Sequence, residues 1–161
     1  MSGPYWIRLA RPDDADAISG VQLRAGLAAW SGFLGAERIE DAARDARHPA
    51  DLVAVDAAGV FAFVAWDEGS GEITRLYTDP PAQGRGAGGA LLGLALDALR
   101  EAGCRRAWLN TDERNEAADR FYLGQGWRNE GEPRVRDWHG ARHVEPRFVR
   151  DLEPRSGADS V

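Results

Sequence analysis

The chain has a single cysteine, so Cys104 has no internal disulfide partner and cannot build a thiolate metal cluster. Long apolar runs are missing as well: no segment reaches the roughly 18 uninterrupted apolar residues of a membrane-spanning helix. The start, Met1-Ser2-Gly3-Pro4-Tyr5-Trp6, lacks the basic residues and apolar stretch of a secretory signal. These absences predict a soluble, cytoplasmic protein. Basic runs are also lacking, and with 26 acidic residues against 20 basic ones the formal charge is -6. Nothing in the chain could track a phosphate backbone, so nucleic acid and membrane are not expected partners. The acidic balance would draw a cationic amine over long range, although the same charge serves solubility. At 161 residues there is room for one sizeable core. The expectation is a single domain over 1–152 and a disordered polar tail over 153–161.

The hydropathy pattern then divides the chain. Ile7-Arg8-Leu9-Ala10 suggests a short strand ending before Pro12, and Asp13, Asp14 and Asp16 suit a helix start. That helix carries Ile18, Val21 and Leu27 and is expected to break at Gly32 and Gly35, with another helix from Glu37 to Arg47. Leu52–Val55, Val60–Trp66 and Glu72–Thr78 alternate like strands with turn residues between them, which predicts an antiparallel meander. From Gly88 to Ala102, Leu91, Ala95, Ala98 and Leu99 share a helix face, and Gly103 supplies the stop. The next strand, Arg106 to Thr111, is reached by a helical crossover and so should lie parallel to its neighbour. Asn115 can cap a helix carrying Ala118, Phe121 and Tyr122 that ends by Gly126, and a last hairpin should return along Val144 to Arg150.

Between the meander and its crossover helix lies Gln83-Gly84-Arg85-Gly86-Ala87-Gly88, with Gly89 following. Glycines let backbone amides converge, and the helix behind them presents unpaired N–H groups and a positive dipole end. A pyrophosphate fits such a turn, and Arg85 could add a charge-assisted hydrogen bond. The residues literally satisfy G-x-G-x-x-G, with Asp112 a little over twenty residues on, as a dinucleotide fingerprint asks. However, the turn sits in mid-chain, Asp79-Pro80-Pro81-Ala82 parts it from its strand, and too little chain remains for a substrate domain. A ligand-free packing turn would need fewer glycines.

The segment from Leu76 to Gly88 resembles the acetyl-CoA signature of the GCN5-related N-acetyltransferases, Gln/Arg-x-x-Gly-x-Gly/Ala. A second element follows at the family's spacing: Asn115, Ala118, Phe121-Tyr122 and Gly126-Trp127. The likeness extends over most of the chain. It implies an α/β (α+β) fold with a mixed, mostly antiparallel sheet of six or seven strands, flanked by helices, whose parallel fourth and fifth strands splay apart around the pantetheine arm. By that likeness the backbone of Leu76, Tyr77 and Thr78 pairs with pantetheine, Gln83, Gly84, Arg85, Gly86, Ala87 and Gly88 hold the pyrophosphate, and Asn115 bonds near the thioester.

The resemblance also implies acetyl transfer from acetyl-CoA, as co-substrate, to a primary amine. That reaction needs a neutral nucleophile, a polarised thioester carbonyl and a proton for the departing thiolate, so no metal is required. Tyr122 matches the family's usual general acid; the competing role for it is core packing. Glu72, at the start of the strand beside the acyl site, is the candidate general base, or else an ordinary surface glutamate. Members that acetylate protein N-termini often carry a glutamate five residues before the matching Asn; here that position is Asn110, which disfavours such a substrate.

Trp30 and Phe33, with Leu34, are candidates to wall the acceptor pocket, and Trp66 and Trp138 are further ones, each with core packing as its alternative. His139 and His143 would share a metal only on a helix face, and Gly140 in a hairpin argues against one. A small-molecule amine is the leading acceptor. A lysine peptide, or a CoA-binding sensor without chemistry, are the alternatives. A homodimer is common in the family, but no self-complementary surface is legible.

Overall fold

The computed structural model describes residues 3–45, 49–138 and 140–154. Its strands are β1 (Trp6–Leu9), β2 (Leu52–Asp56), β3 (Gly59–Asp67), β4 (Glu72–Thr78), β5 (Arg106–Asn110), β6 (Arg128–Asn129), β7 (Arg134–Trp138), β8 (Ala141–Glu145) and β9 (Arg147–Asp151). The helices are α1 (Ala15–Leu34), α2 (Ala36–Asp45), α3 (Ala87–Glu101) and α4 (Glu116–Gly124). Seven strands form one sheet in the order β1-β2-β3-β4-β5-β9-β6, while β7 and β8 make a separate ribbon. Among the described residues only the β4–β5 pair is parallel. The expected mixed, mostly antiparallel sheet is therefore present, with seven strands.

Each face of the sheet has its own cover. Leu91, Leu92, Leu96 and Leu99 of α3 pack with Phe61, Val64, Ile73, Leu109 and Phe148, and Tyr122 of α4 joins them. On the other face, Ile18 and Val21 of α1 pack with Val53, Val55 and Phe63. Burying each large aliphatic side chain is worth about 2 kcal/mol, so the leucine stripe of α3 outweighs the cost of its glycines. Asp14 ties β1 to α1, accepting from the Arg11 amide at 2.7 Å and from both Arg8 guanidinium nitrogens at 2.8 and 2.9 Å. The Arg8 hydrogen bond is the main reason its carboxyl is held down to about 2, burial acting in the opposite sense.

Two boundaries differ from the sequence reading. The α1 helix runs through Gly32 and stops only at Gly35, whose φ is 82°. A mid-helix glycine costs about 1 kcal/mol, too little to break a helix anchored by Ile18, Val21 and Leu34. The return strand expected from Val144 to Arg150 is divided at Pro146. Lacking an N–H, Pro146 cannot continue a ladder on that side, so β8 turns to β7 while β9 inserts between β5 and β6. The end of the helix expected at Arg47, and the tail from residue 155 on, lie outside the described residues. No helix among the described residues is long and apolar enough to cross a membrane.

Candidate active site

The site begins where the sheet fails to close. The parallel strands β4 and β5 pair at one position, Glu72 with Trp108. The Trp108 amide donates to Gly71 O at 3.1 Å. A Cβ on Gly71, whose φ is 82°, would sit 2.5 Å from Arg106 O, so glycine is required for this close approach. Beyond the junction Leu76, Tyr77 and Thr78 pair with β3 only, which leaves the other edge of their backbone without a strand among the described residues. The β3–β4 register shifts between Ala65 and Trp66, leaving Thr74 as an extra residue on β4 that bends it away. Across the gap, the chain after β5 leans toward β8, with Thr111 N donating to Pro146 O at 3.2 Å and Glu113 N to Val144 O at 2.9 Å. Asn110 Oδ1 and Thr111 Oγ1 are buried there without hydrogen-bond partners among the described residues. Buried polar atoms are rarely left unpaired, so these two fit a polar ligand arm entering the gap.

At its wide end the gap meets the glycine-rich turn. Gly84 and Gly86 have φ of 85° and 81°, values that favour glycine, and a Cβ on either would touch nothing within 4 Å. The turn therefore needs glycine for its backbone and leaves open space over it. The first bond of α3 runs from Ala90 N to Gly86 O at 3.0 Å, so the amides of Ala87, Gly88 and Gly89 lie ahead of the helical ladder at its positive end. The Arg85 guanidinium points elsewhere. It pairs with Asp56 at 2.8 Å, donates to Gly3 O at 2.7 Å and lies 4.4 Å over the Phe61 ring. Its side chain pins the turn to β2, leaving its backbone as the part available to an anion. Gln83 is exposed. A Cβ on Gly88 would lie 3.6 Å from Thr78 Oγ1 and 3.9 Å from the Phe121 ring, so this small residue lets α4 close over α3.

Asn115 caps α4, its Oδ1 accepting from Ala118 N at 3.1 Å. The helix carries Tyr122 into the core, against the rings of Phe121, Trp127 and Phe148 at centroid distances of 5.1, 5.6 and 5.6 Å. Its hydroxyl makes no hydrogen bond among the described residues. Burial raises the pKa of this phenol, and the nearby Tyr77 adds to the rise. Tyr77, on β4, is itself pushed up to about 12 by burial, against the pull of Arg75 and Arg136. Both phenols hold their protons at neutral pH.

The opposite mouth of the gap carries charge. Glu72 is half-buried, and burial raises its carboxyl above the ordinary range, with Arg134, Arg147 and Arg136 opposing the rise and Asp67 adding to it. Arg134 and Arg136, on β7, both pair with the buried Glu145 of β8. Burial would lift Glu145, but the two arginines hold it below the usual carboxylate range. Arg147 lies 4.3 Å over the Trp108 ring. Above these, α1 spans the gap: Trp30 meets the Tyr77 ring edge-on at 6.0 Å, while Phe33 lies 4.3 Å under the Arg114 guanidinium, in the loop after β5. Arg114 also forms a bidentate pair with Asp112 at 2.8 Å, and Asp112 Oδ2 lies 2.7 Å from His143 Nδ1. The His143 ring meets Trp138 edge-on at 5.2 Å.

Trp30, Phe33 and Trp138 thus belong to one connected wall, whereas Trp66 packs into the core on the α3 face. Leu34 is buried. Cys104 donates to Glu68 O at 3.2 Å. His139 lies outside the described residues, and among those described no cluster of three or more His, Cys, Asp or Glu could hold a metal. Although Asp112 and His143 were noted for other chemistry, the sequence did not assign to this site Asp112, Arg114, Arg134, Arg136, His143 and Glu145. The signal for the last four was present: charged residues at alternate positions on both arms of a hairpin, which place them on one face.

A sheet with splayed parallel strands and a glycine-rich turn at the head of the crossover helix marks an acyl-CoA-binding transferase fold. Residues 25–127, more than half of the chain, match the acetyltransferase (GNAT) family, and the chain belongs to that family. It is 32% identical over 86 residues to an uncharacterized N-acetyltransferase of Mycobacterium tuberculosis (strain ATCC 25618 / H37Rv), a stretch that is 53% of this chain and 52% of that protein. The chain spans about half the length of the curated relatives it matches. Among solved structures, the PaiA N-acetyltransferase of Thermoplasma acidophilum in complex with coenzyme A shares the fold at a TM-score of 0.75 with 18% identity, over 92% of this chain and 99% of that one. The YncA structure, a putative acetyltransferase of Salmonella typhimurium with its cofactor acetyl-CoA, does so at 0.66 with 21% identity, over 99% and 100%.

Proposed function

We propose that the protein transfers an acetyl group from acetyl-CoA to a primary amine on a small molecule by direct attack. The observation that carries this reading is the single Glu72–Trp108 pairing between β4 and β5, which leaves one backbone edge of Leu76–Thr78 free beside two orphaned polar side chains. Acetyl-CoA supplies an acetyl group already activated as a thioester. Leu76, Tyr77 and Thr78 would pair with the pantetheine amides through their backbone, as another strand would. Asn110, Thr111 and the side-chain amide of Asn115 would line the other wall. Gln83 through Gly88 would take the pyrophosphate on backbone amides at the N-terminus of α3.

Tyr122, its proton held by burial, donates to the departing sulfur. Among the described residues its hydroxyl forms no hydrogen bond that would have to break first. Glu72 accepts a proton from the incoming ammonium, and burial of this carboxyl strengthens it as a base. Trp30 and Phe33, with Arg114 stacked on the latter, form a covered aromatic wall that suits a small amine better than an extended peptide.

The test is thiol release from acetyl-CoA with a panel of small amines and lysine peptides. All 20 basic residues other than histidine are arginine, so the chain has no lysine side chain of its own to consume acetyl-CoA. Turnover with a subset of small amines supports the reading. Turnover with peptides alone would move the acceptor class, and acetyl-CoA binding without thiol release from any acceptor would make the domain a sensor.

A further inference from the structure

We propose that His143 is a second proton acceptor for the amine, oriented by Asp112; this rests on the acetyl-transfer reading above. When a primary ammonium becomes an amide, a C–N bond forms, the C–S bond breaks with its electron pair leaving on sulfur, and the nitrogen sheds two protons. The sulfur takes up one proton from Tyr122, which is re-protonated in turn, and one proton is released to solvent. Glu72 provides one acceptor for the two protons lost from nitrogen, and a second remains to be found.

The hairpin supplies it. In the β7–β8 register Arg136 lies opposite His143, and Arg134 opposite Glu145, so all four side chains leave the same face of the ribbon. Its charge reaches the gap: Arg134 and Arg136 act electrostatically on Glu72, and Arg136 on Tyr77. The imidazole of His143 is 5% exposed, with Nδ1 2.7 Å from Asp112 Oδ2. Burial alone would raise the Asp112 carboxyl. Hydrogen bonds from the Arg114 side chain and backbone and from His143 outweigh it and hold the group down to about 2.

An ionised carboxylate only accepts, so Nδ1 carries a proton, and in the neutral ring the lone pair is then on Nε2. That Nε2 is buried and has no hydrogen-bond partner among the described residues. A buried lone pair without a donor is the place where an amine N–H would bond. The charged groups tied to it by hydrogen bond or register are Asp112 and Arg114 after β5, Arg136 on β7 and Glu145 on β8, with Glu72 on β4 under the charge of Arg136. The arginines among them are paired, Arg114 with Asp112 and Arg136 with Glu145. The Asp–His arrangement fixes tautomer and orientation in the way acid–base catalysis needs.

Wild-type turnover is measured first, because a protein that turns over no amine overturns the transfer reading and this inference with it. With an active amine in hand, His143→Gln should lower kcat at least about 100-fold, leave acetyl-CoA affinity unchanged and remove one ionisation from the acidic limb of the rate profile. Asp112→Asn, which alters a positioning residue, should shift that limb and lower kcat by a smaller factor. Added imidazole should restore rate to His143→Gly. A folded His143→Gln with wild-type kcat and an unchanged pH profile would overturn the assignment. If the variants do not fold, the ring-nitrogen NMR spectrum of the wild-type protein decides: protonation at Nδ1 with a free Nε2 that shifts when the amine binds supports the assignment, and an Nε2-protonated or unresponsive ring overturns it.

Discussion

The two walls of the gap are built in opposite ways. The wall assigned to the cofactor is backbone and small residues: the open edge of Leu76–Thr78, the left-handed turn at Gly84 and Gly86, and the close contact at Gly88. The wall assigned to the acceptor is made of long side chains from distant segments, namely Trp30 and Phe33 of α1, Arg114 after β5, and the hairpin face with Arg134, Arg136, His143 and Glu145. Backbone offers the same amides whatever the neighbouring residues, so the first wall can stay constant in chemistry. The second changes with every substitution. On the proposed reading, an acyl donor common to many reactions would lie against the first, and selectivity for one amine would come from the second.

Substitutions on each wall should therefore separate binding from turnover. The largest effect is expected from Gly86→Glu. It forces a side chain into a left-handed conformation at a cost of about 1–2 kcal/mol and puts a negative charge where the pyrophosphate would sit. Calorimetric titration should show acetyl-CoA binding abolished, while the fold survives because nothing lies within 4 Å of the added Cβ. Next comes Tyr122→Phe, expected to lower kcat about 100-fold with acetyl-CoA affinity unchanged. The lost hydroxyl makes no hydrogen bond among the described residues and the ring contacts are kept, so the thermal midpoint should hold; a large drop in Tm would assign the hydroxyl to holding the fold instead. Arg85→Ala should be milder, weakening acetyl-CoA binding a few-fold and lowering Tm, because it unpins the turn from Asp56 without removing a single turn amide. Restored binding by a phosphate-directed arginine elsewhere in the turn would contradict that account.

The smallest effect concerns stability in acid. Asp14 and Asp112 are both held near 2 in the folded chain, below the ordinary carboxylate value of about 3.9. Groups lowered on folding stabilise the protein above their unfolded pKa, and that contribution is lost as pH falls through the folded one. Melting curves should thus be flat from neutrality to about pH 5 and fall steadily toward pH 2. Asp14→Asn should remove part of that slope without touching the gap.

The same contrast explains what could be read from the sequence. The meander, the crossover helix and the glycine turn are local patterns, and each recurs in the structure within a few residues. The cap at Asn115 was legible for the same reason, since capping depends on neighbours in sequence. The splay was expected only by resemblance, because it depends on a bulge at Thr74 and a contact between Gly71 and Arg106 that no short pattern encodes. The Asp112–His143 pair spans 31 residues and needs β8 to leave the main sheet at Pro146. Asp112 had entered the reading only through a nucleotide fingerprint, and His143 only as half of a discarded metal pair. Arg85 looked like a phosphate ligand from its place in the turn. Its partner Asp56 lies 29 positions earlier, which decides its direction and could not be seen locally.

The central claim is that the open edge of β4 and the turn before α3 receive acetyl-CoA. Titrating acetyl-CoA into isotope-labelled protein and following the backbone amides tests it most directly. The account predicts shifts concentrated at Leu76–Thr78 and Gly84–Gly89, with those on the outer strand β1 unmoved. Binding that leaves the β4 edge and the turn unshifted, or no binding at all, would contradict it.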